Sequence, residues 1–126
     1  MVLDINELTF QRGEDGKFIP QEVELEFLEN KPKVKVIPVT RGKLQEIMTR
    51  AKSSDVKERV EADNELIRNG LVEPKISEGK LKDLKPNYMT AIIIAILSIS
   101  LDKSQRDIRK ETGSLIQGQE FQLKKN

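Results

Sequence analysis

Cysteine, histidine and tryptophan are all missing from this 126-residue chain, and aromatic residues make up only 4% of it. Without cysteine there is no disulfide framework, no zinc–thiolate site and no thiol nucleophile. Without histidine as well, the usual triads and dyads cannot be assembled. A general acid or base would have to be a carboxylate, a lysine or the lone Tyr88. Neither sign of charge dominates: 22 basic against 21 acidic residues leave a formal net charge of +1, which implies no broad electrostatic footprint for nucleic acid. The longest apolar run, from Met89 to Leu101, is about 13 residues, short of the roughly 17 or more that span a bilayer. A buried helix and no membrane role are expected. No basic segment followed by an apolar one opens the chain, so no secretory signal is expected.

What is present is a lean core set, 37% hydrophobic residues against 34% charged. That suits one domain of modest stability. The most informative stretch is NYMTAIIIAILSISL, Asn87 to Leu101, which gathers Ile92, Ile93, Ile94, Ile96, Leu97 and Ile99. A helix that is apolar around most of its circumference must be covered on several sides. Two readings stand together: central core helix, or core helix with part of its face left for a partner. As core, Ile92, Ile93, Ile96, Leu97 and Leu101 would pack against Leu44, Ile47, Val60 and Leu66, with Ile94 and Ile99 pointing elsewhere.

Around this helix the patterning is local and readable. Gly13, Asp15 and Gly16 mark a tight turn. Val23, Leu25 and Phe27 alternate with Glu22, Glu24 and Glu26, and Val34 and Val36 alternate with Lys33 and Lys35. Both are the period-two signature of a half-buried strand, and ENKP between them supplies a hairpin turn. Glutamates on one strand and lysines on the other favour the pairing. Thr40 is placed as N-cap of a helix bearing Leu44, Ile47, Met48 and Ala51. Asp55 with Glu58 caps a second helix carrying Val56, Val60 and Ile67. Gly70 is expected to end that helix as a left-handed residue. Leu71 and Val72 lead into Glu73-Pro74, a short helix or turn begins at Ser77, and Pro86 starts the apolar helix. The charged stretch Asp102 to Thr112 either extends it or forms another.

The fold class expected is therefore α+β and mainly helical, an N-terminal β-hairpin followed by a small helical bundle around residues 87–101. Residues 1–39 form the extended and hairpin part, 40–112 the helical domain, and 113–126 a flexible tail.

No constellation spells out a reaction. The stretch GEDGK lacks the P-loop spacing and reads as a turn. No segment has the ligand spacing of an EF-hand loop. Carboxylate pairs such as Asp63 with Glu65 read as structural or surface groups. Lys31, Lys33, Lys35 and Arg41, and again Arg106, Arg109 and Lys110, are interleaved with acids and lack stacking aromatics, so they read as solvated faces. No enzyme, catalytic residue, metal or cofactor is expected, and nucleic acid is not an expected partner.

The segment KVKVIPVTRGKLQEIM (Lys33 to Met48), then DNELIRNGLVEPKIS (Asp63 to Ser77), an LKDL turn and the helix TAIIIAILSIS resemble the tail assembly chaperones of tailed bacteriophages. The likeness runs over roughly Lys33 to Leu101. It implies a non-enzymatic protein of the host cytoplasm, from a phage or prophage, that binds the tape-measure protein while the tail tube assembles around it. Partner-facing residues are then expected among Leu71, Val72, Tyr88, Ile92, Ile94 and Ile99, with homo-oligomers admitted and the tail after Gly113 a further contact. In that family a longer frameshifted form carries such an extension. The alternative is a structural subunit of the tail or head–tail connector.

Overall fold

Pro86 opens the helix that organises the molecule. Its fixed φ suits the first helical position, where its missing N–H has no intrahelical partner to lose. A computed structural model describes residues 2–111, and in it this helix runs unbroken from Pro86 to Leu101. The other helices are α1 (Ile5–Leu8), α2 (Arg41–Ala51), α3 (Val56–Gly70), α4 (Glu78–Leu81) and α6 (Gln105–Glu111), with the Pro86 helix as α5. Three strands, β1 (Gln21–Glu24), β2 (Lys33–Val36) and β3 (Leu71–Glu73), form one antiparallel sheet in the order β1-β2-β3. The fold is α+β and mainly helical.

The hairpin does not stand apart from the helices. β3 follows directly on α3 and pairs with β2, and Ile37 N–H donates to the carbonyl of Gly70 at 2.8 Å. Leu25, Val34, Val36 and Val39 join Ile47, Leu66, Ile67, Leu81, Ile108 and residues 91–97 of α5 in a single core. Parts read as 1–39 and 40–112 thus share one apolar interior. Residues 113–126, read as a tail, lie outside the described residues.

The charge pattern of the hairpin is realised in its register. Glu22 faces Lys35 and Glu24 faces Lys33, and the closest ion pair runs diagonally from Lys33 to Glu22 at 3.5 Å. Both partners are well exposed, so the pair adds only a few tenths of a kcal/mol. The alternation through Phe27 predicted a longer strand. Instead β1 stops at Glu24 and the chain turns over residues 25–32, with Lys31 in the left-handed region at φ 45°. Phe27 is left at the surface beneath the Arg109 guanidinium, 4.5 Å from the ring centre.

Asp55 caps α3 as expected, accepting from the Lys57 N–H at 2.9 Å. Thr40 occupies the N-cap of α2 through its carbonyl and backbone, without a side-chain cap. Gly70 ends α3 as expected, but not as a left-handed residue. Its φ is not positive and Leu71 beyond it is extended. A Cβ at Gly70 would lie 2.5 Å from Cγ2 of Ile96, so glycine is required here by the close approach of α3 to α5. Val60 and Leu101 also depart from expectation, being 49% and 42% exposed.

Asp102, left-handed at φ 52°, ends α5 and turns the chain into a separate helix, α6. Gln105 on α6 is almost fully buried. Its Nε2 donates to the Glu24 carbonyl at 2.7 Å and its Oε1 accepts from the Glu26 N–H at 3.4 Å. Ser100 makes a similar tie, accepting from the Val39 N–H at 2.9 Å while donating to the Ile96 carbonyl. Replacing Gln105 by alanine is expected to cost about 1–3 kcal/mol, because two part-buried backbone groups lose their partners. Urea denaturation of the variant measures this, and a change under about 0.5 kcal/mol would count against it.

Candidate partner-binding surfaces

The residues expected to face a partner are not brought together. Ile92 and Ile94 are 3% and 1% exposed and belong to the interior. This corrects the expectation: Leu25, Val34 and Val36 of the N-terminal part share one core with α5, together with Leu81 of α4 and Ile108 of α6. Substituting Ile94 would report on stability, since about 2–5 kcal/mol follows from emptying such a site. Leu71 and Val72 are half-buried in β3, and Leu71 packs on the core. Tyr88 is half-buried in the first turn of α5, with the Lys85 ammonium 6.0 Å from its ring centre. Ile99 packs on the core near the other end of the helix, about 16 Å away at 1.5 Å per residue. Tyr88 and Ile99 therefore do not share one patch.

The exposed apolar surface lies elsewhere. Val2, Leu3, Ile5, Leu8, Phe10 and Ile19 are all exposed, Val2 almost completely, and α1 buries none of its residues. A short helix with no buried side has no packing to hold it. It forms because Asp4 caps it, accepting from the Asn6 N–H at 3.0 Å.

Within this arm, residues 10–18 form a small aromatic clasp. Phe10 meets Phe18 edge-to-face at 5.9 Å, and the Arg12 guanidinium lies 4.0 Å over the Phe18 ring. Arg12 and Phe18 bridge across the Gly13–Gly16 turn, which Gly16 allows at φ 78°. Arg12 Nη1 also donates to the Gly16 carbonyl at 2.8 Å. Between the arm and the start of α2 runs an open groove of about 680 Å³, lined by Leu8, Phe10, Arg12, Phe18, Thr40 and Arg41 among others. QRGEDGKF forms the turn that its glycines predict, whereas the arm carries apolar residues at spaced positions over 2–10. That spacing was the available signal.

The charged side chains mostly join elements. Glu65 of α3, only 15% exposed, receives Lys43 Nζ at 2.6 Å and an Arg50 guanidinium nitrogen, both from α2. Arg68 links Glu61 of α3 to Glu78 of α4. Its hydrogen bond holds the Glu61 carboxyl below the usual range. Asp63 differs from its neighbours. It accepts no hydrogen bond or ion pair among the described residues, and burial pushes its carboxyl up to about 6. Asp63 and Glu65, read as structural or surface groups, are one desolvated group and one that bridges α3 to α2. Among the described residues no cluster of three or more acids is placed to hold a metal ion.

Among the described residues no helix is long and apolar enough to cross a membrane. The fold and its surface define a small α+β domain with a closed core and an apolar N-terminal arm. Compared with known proteins, the chain matches no family model, no curated protein and no solved structure.

Proposed function

We propose that the protein is a non-enzymatic tail assembly chaperone of a phage or prophage that binds the tape-measure protein in the host cytoplasm, with the N-terminal arm as its client-binding element. The observation carrying the arm's role is the concentration of exposed apolar side chains in residues 2–19, against a core that is otherwise closed. Six of the ten exposed large apolar residues among those described lie there, and apolar exposure gathered in this way marks an association site. The resemblance over Lys33 to Leu101 supplies the kind of client, a long helical protein that must be kept from aggregating. An amphipathic helix laid against Leu8, Phe10 and Ile19 buries its apolar face in the helix-in-groove manner.

Co-expression with the tape-measure protein of the same genome tests the reading by pull-down and client solubility. The intact chain should hold the client in solution. The double variant Leu8→Ser with Phe10→Ser should lose it, while melting within about 0.5 kcal/mol of the parent, as surface substitutions do. Retention of the client by the double variant would remove the arm from the binding surface. Presence of the protein in purified virions, seen by mass spectrometry, would instead favour the structural tail or connector subunit.

A further inference from the structure

Among the described residues, β1 leaves one edge of the sheet unpaired. Leu25 N–H donates to the Pro32 carbonyl at 2.8 Å, and Val23 lies opposite Val34, so the odd-numbered residues turn their backbone groups toward β2. The backbone N–H and C=O of Glu22 and Glu24 therefore point outward, and both residues are exposed. The opposite edge is closed to addition: β3 has three residues and runs into Pro74, which has no N–H to offer.

One end of the open edge is already filled, and the manner of filling is informative. The Gln105 carboxamide donates to the Glu24 carbonyl and accepts from the Glu26 N–H, two residues on. A residue of a neighbouring parallel strand makes the same pair of bonds, from its own N–H and C=O. The side chain thus stands in for one peptide unit of a fourth strand. Beyond it, the Glu22 N–H and C=O and the Glu24 N–H continue the same ladder.

The chemistry of the occupant follows from the side chains along that edge. Glu22 and Glu24 stand on the solvent face of the sheet, where β2 answers them with Lys35 and Lys33. Val23 and Leu25 stand on the core face, Leu25 fully buried. Two copies of β1 placed edge to edge would set glutamate beside glutamate, which is unfavourable. A second copy is therefore a poor occupant. We propose that the outer edge of β1 is a strand-addition site for an extended segment of a partner protein with lysine or arginine at alternate positions, and that Gln105 holds one place in the slot until that segment arrives. This site is separate from the arm and does not rest on the chaperone reading.

The probe is a capped peptide alternating lysine and valine, titrated at low salt into the full chain labelled with nitrogen-15. The expected result is chemical-shift change and slowed hydrogen exchange at the Glu22 and Glu24 amides. A peptide alternating glutamate and valine should bind at least about tenfold more weakly, as should the lysine peptide methylated on the nitrogens that face β1. Glu22→Gln with Glu24→Gln, both exposed and tolerated by the fold, should weaken the lysine peptide severalfold. Gln105→Ala should tighten it by freeing the slot. Shift changes confined to the arm, or equal binding of the methylated peptide, would overturn the proposal, and so would silence of these two amides at millimolar peptide.

Discussion

Gly70→Ala is expected to destabilise the protein by about 2–3 kcal/mol, at the upper end of what overpacking a tight core costs. The added methyl would meet Cγ2, Cδ1 and Cγ1 of Ile96 at 2.5, 2.8 and 2.8 Å. Ile96 itself is fully buried in the middle of α5, so it has no open direction in which to yield. Relief would require α3 to move off α5. That would also disturb Ile37, whose N–H is bonded to the Gly70 carbonyl. Helix propensity favours alanine by about 1 kcal/mol, so a net loss of stability isolates the contact as its cause. The decisive form is a double-mutant cycle. Ile96→Ala alone should cost about 2–5 kcal/mol through the cavity it leaves. Combined with Gly70→Ala, which partly fills that cavity, the total should fall short of the sum by at least about 1 kcal/mol. Additive losses in urea denaturation would show that the two side chains do not compete for the same space.

Asp63→Asn is expected to stabilise the protein at neutral pH by about 2 kcal/mol, allowing for the part of the carboxylate still in contact with water. The carboxyl is raised from 3.8 to about 6 by burial. Between those values the folded chain holds a proton on Asp63 that the unfolded chain has released. Stability contributed by this group therefore falls as pH rises through 4 to 6, and the deficit is complete above 6. Asparagine keeps the shape and carries no charge at any pH. The gain from the substitution should therefore be near zero at pH 3.5, grow through pH 5 and level off above pH 7. Glu61 acts in the opposite direction, since its hydrogen bond with Arg68 lowers its pKa. Its contribution is present at neutral pH and lost on acidification, and it is common to both proteins, so it cancels in the comparison. Thermal melts of parent and variant at pH 3.5, 5 and 7.5 make the test. A gain that does not change with pH would mean the carboxylate is not the cause.

Much of the architecture was legible from short-range pattern. The alternation of Val34 and Val36 with lysines, Asp55 as a cap and Pro86 as a helix start each depend on residues within one or two turns, and each is found where it was expected. The candidate surface was far less legible. Ile92 and Ile94 were expected to face a partner because the helical residues seemed too few to cover them. Cover came instead from Leu25 and Val36, some 55–70 residues away in the chain. The arm was missed because residues 1–39 were read only as extended and hairpin, and whether its spaced apolar residues reach the core is decided by packing.

Composition and sequence pattern by themselves determined that this is a small domain lacking thiol and imidazole chemistry, built from a charged hairpin and amphipathic helices around one apolar helix. Those properties follow from side-chain type and local periodicity, which no later folding event can change. Tertiary structure alone decided that Gly70 serves a close approach, that Asp63 is desolvated, that Gln105 reaches a strand 81 residues earlier, and which apolar residues remain at the surface. Each of these depends on which distant segments arrive at the same place, and burial is a property of that meeting.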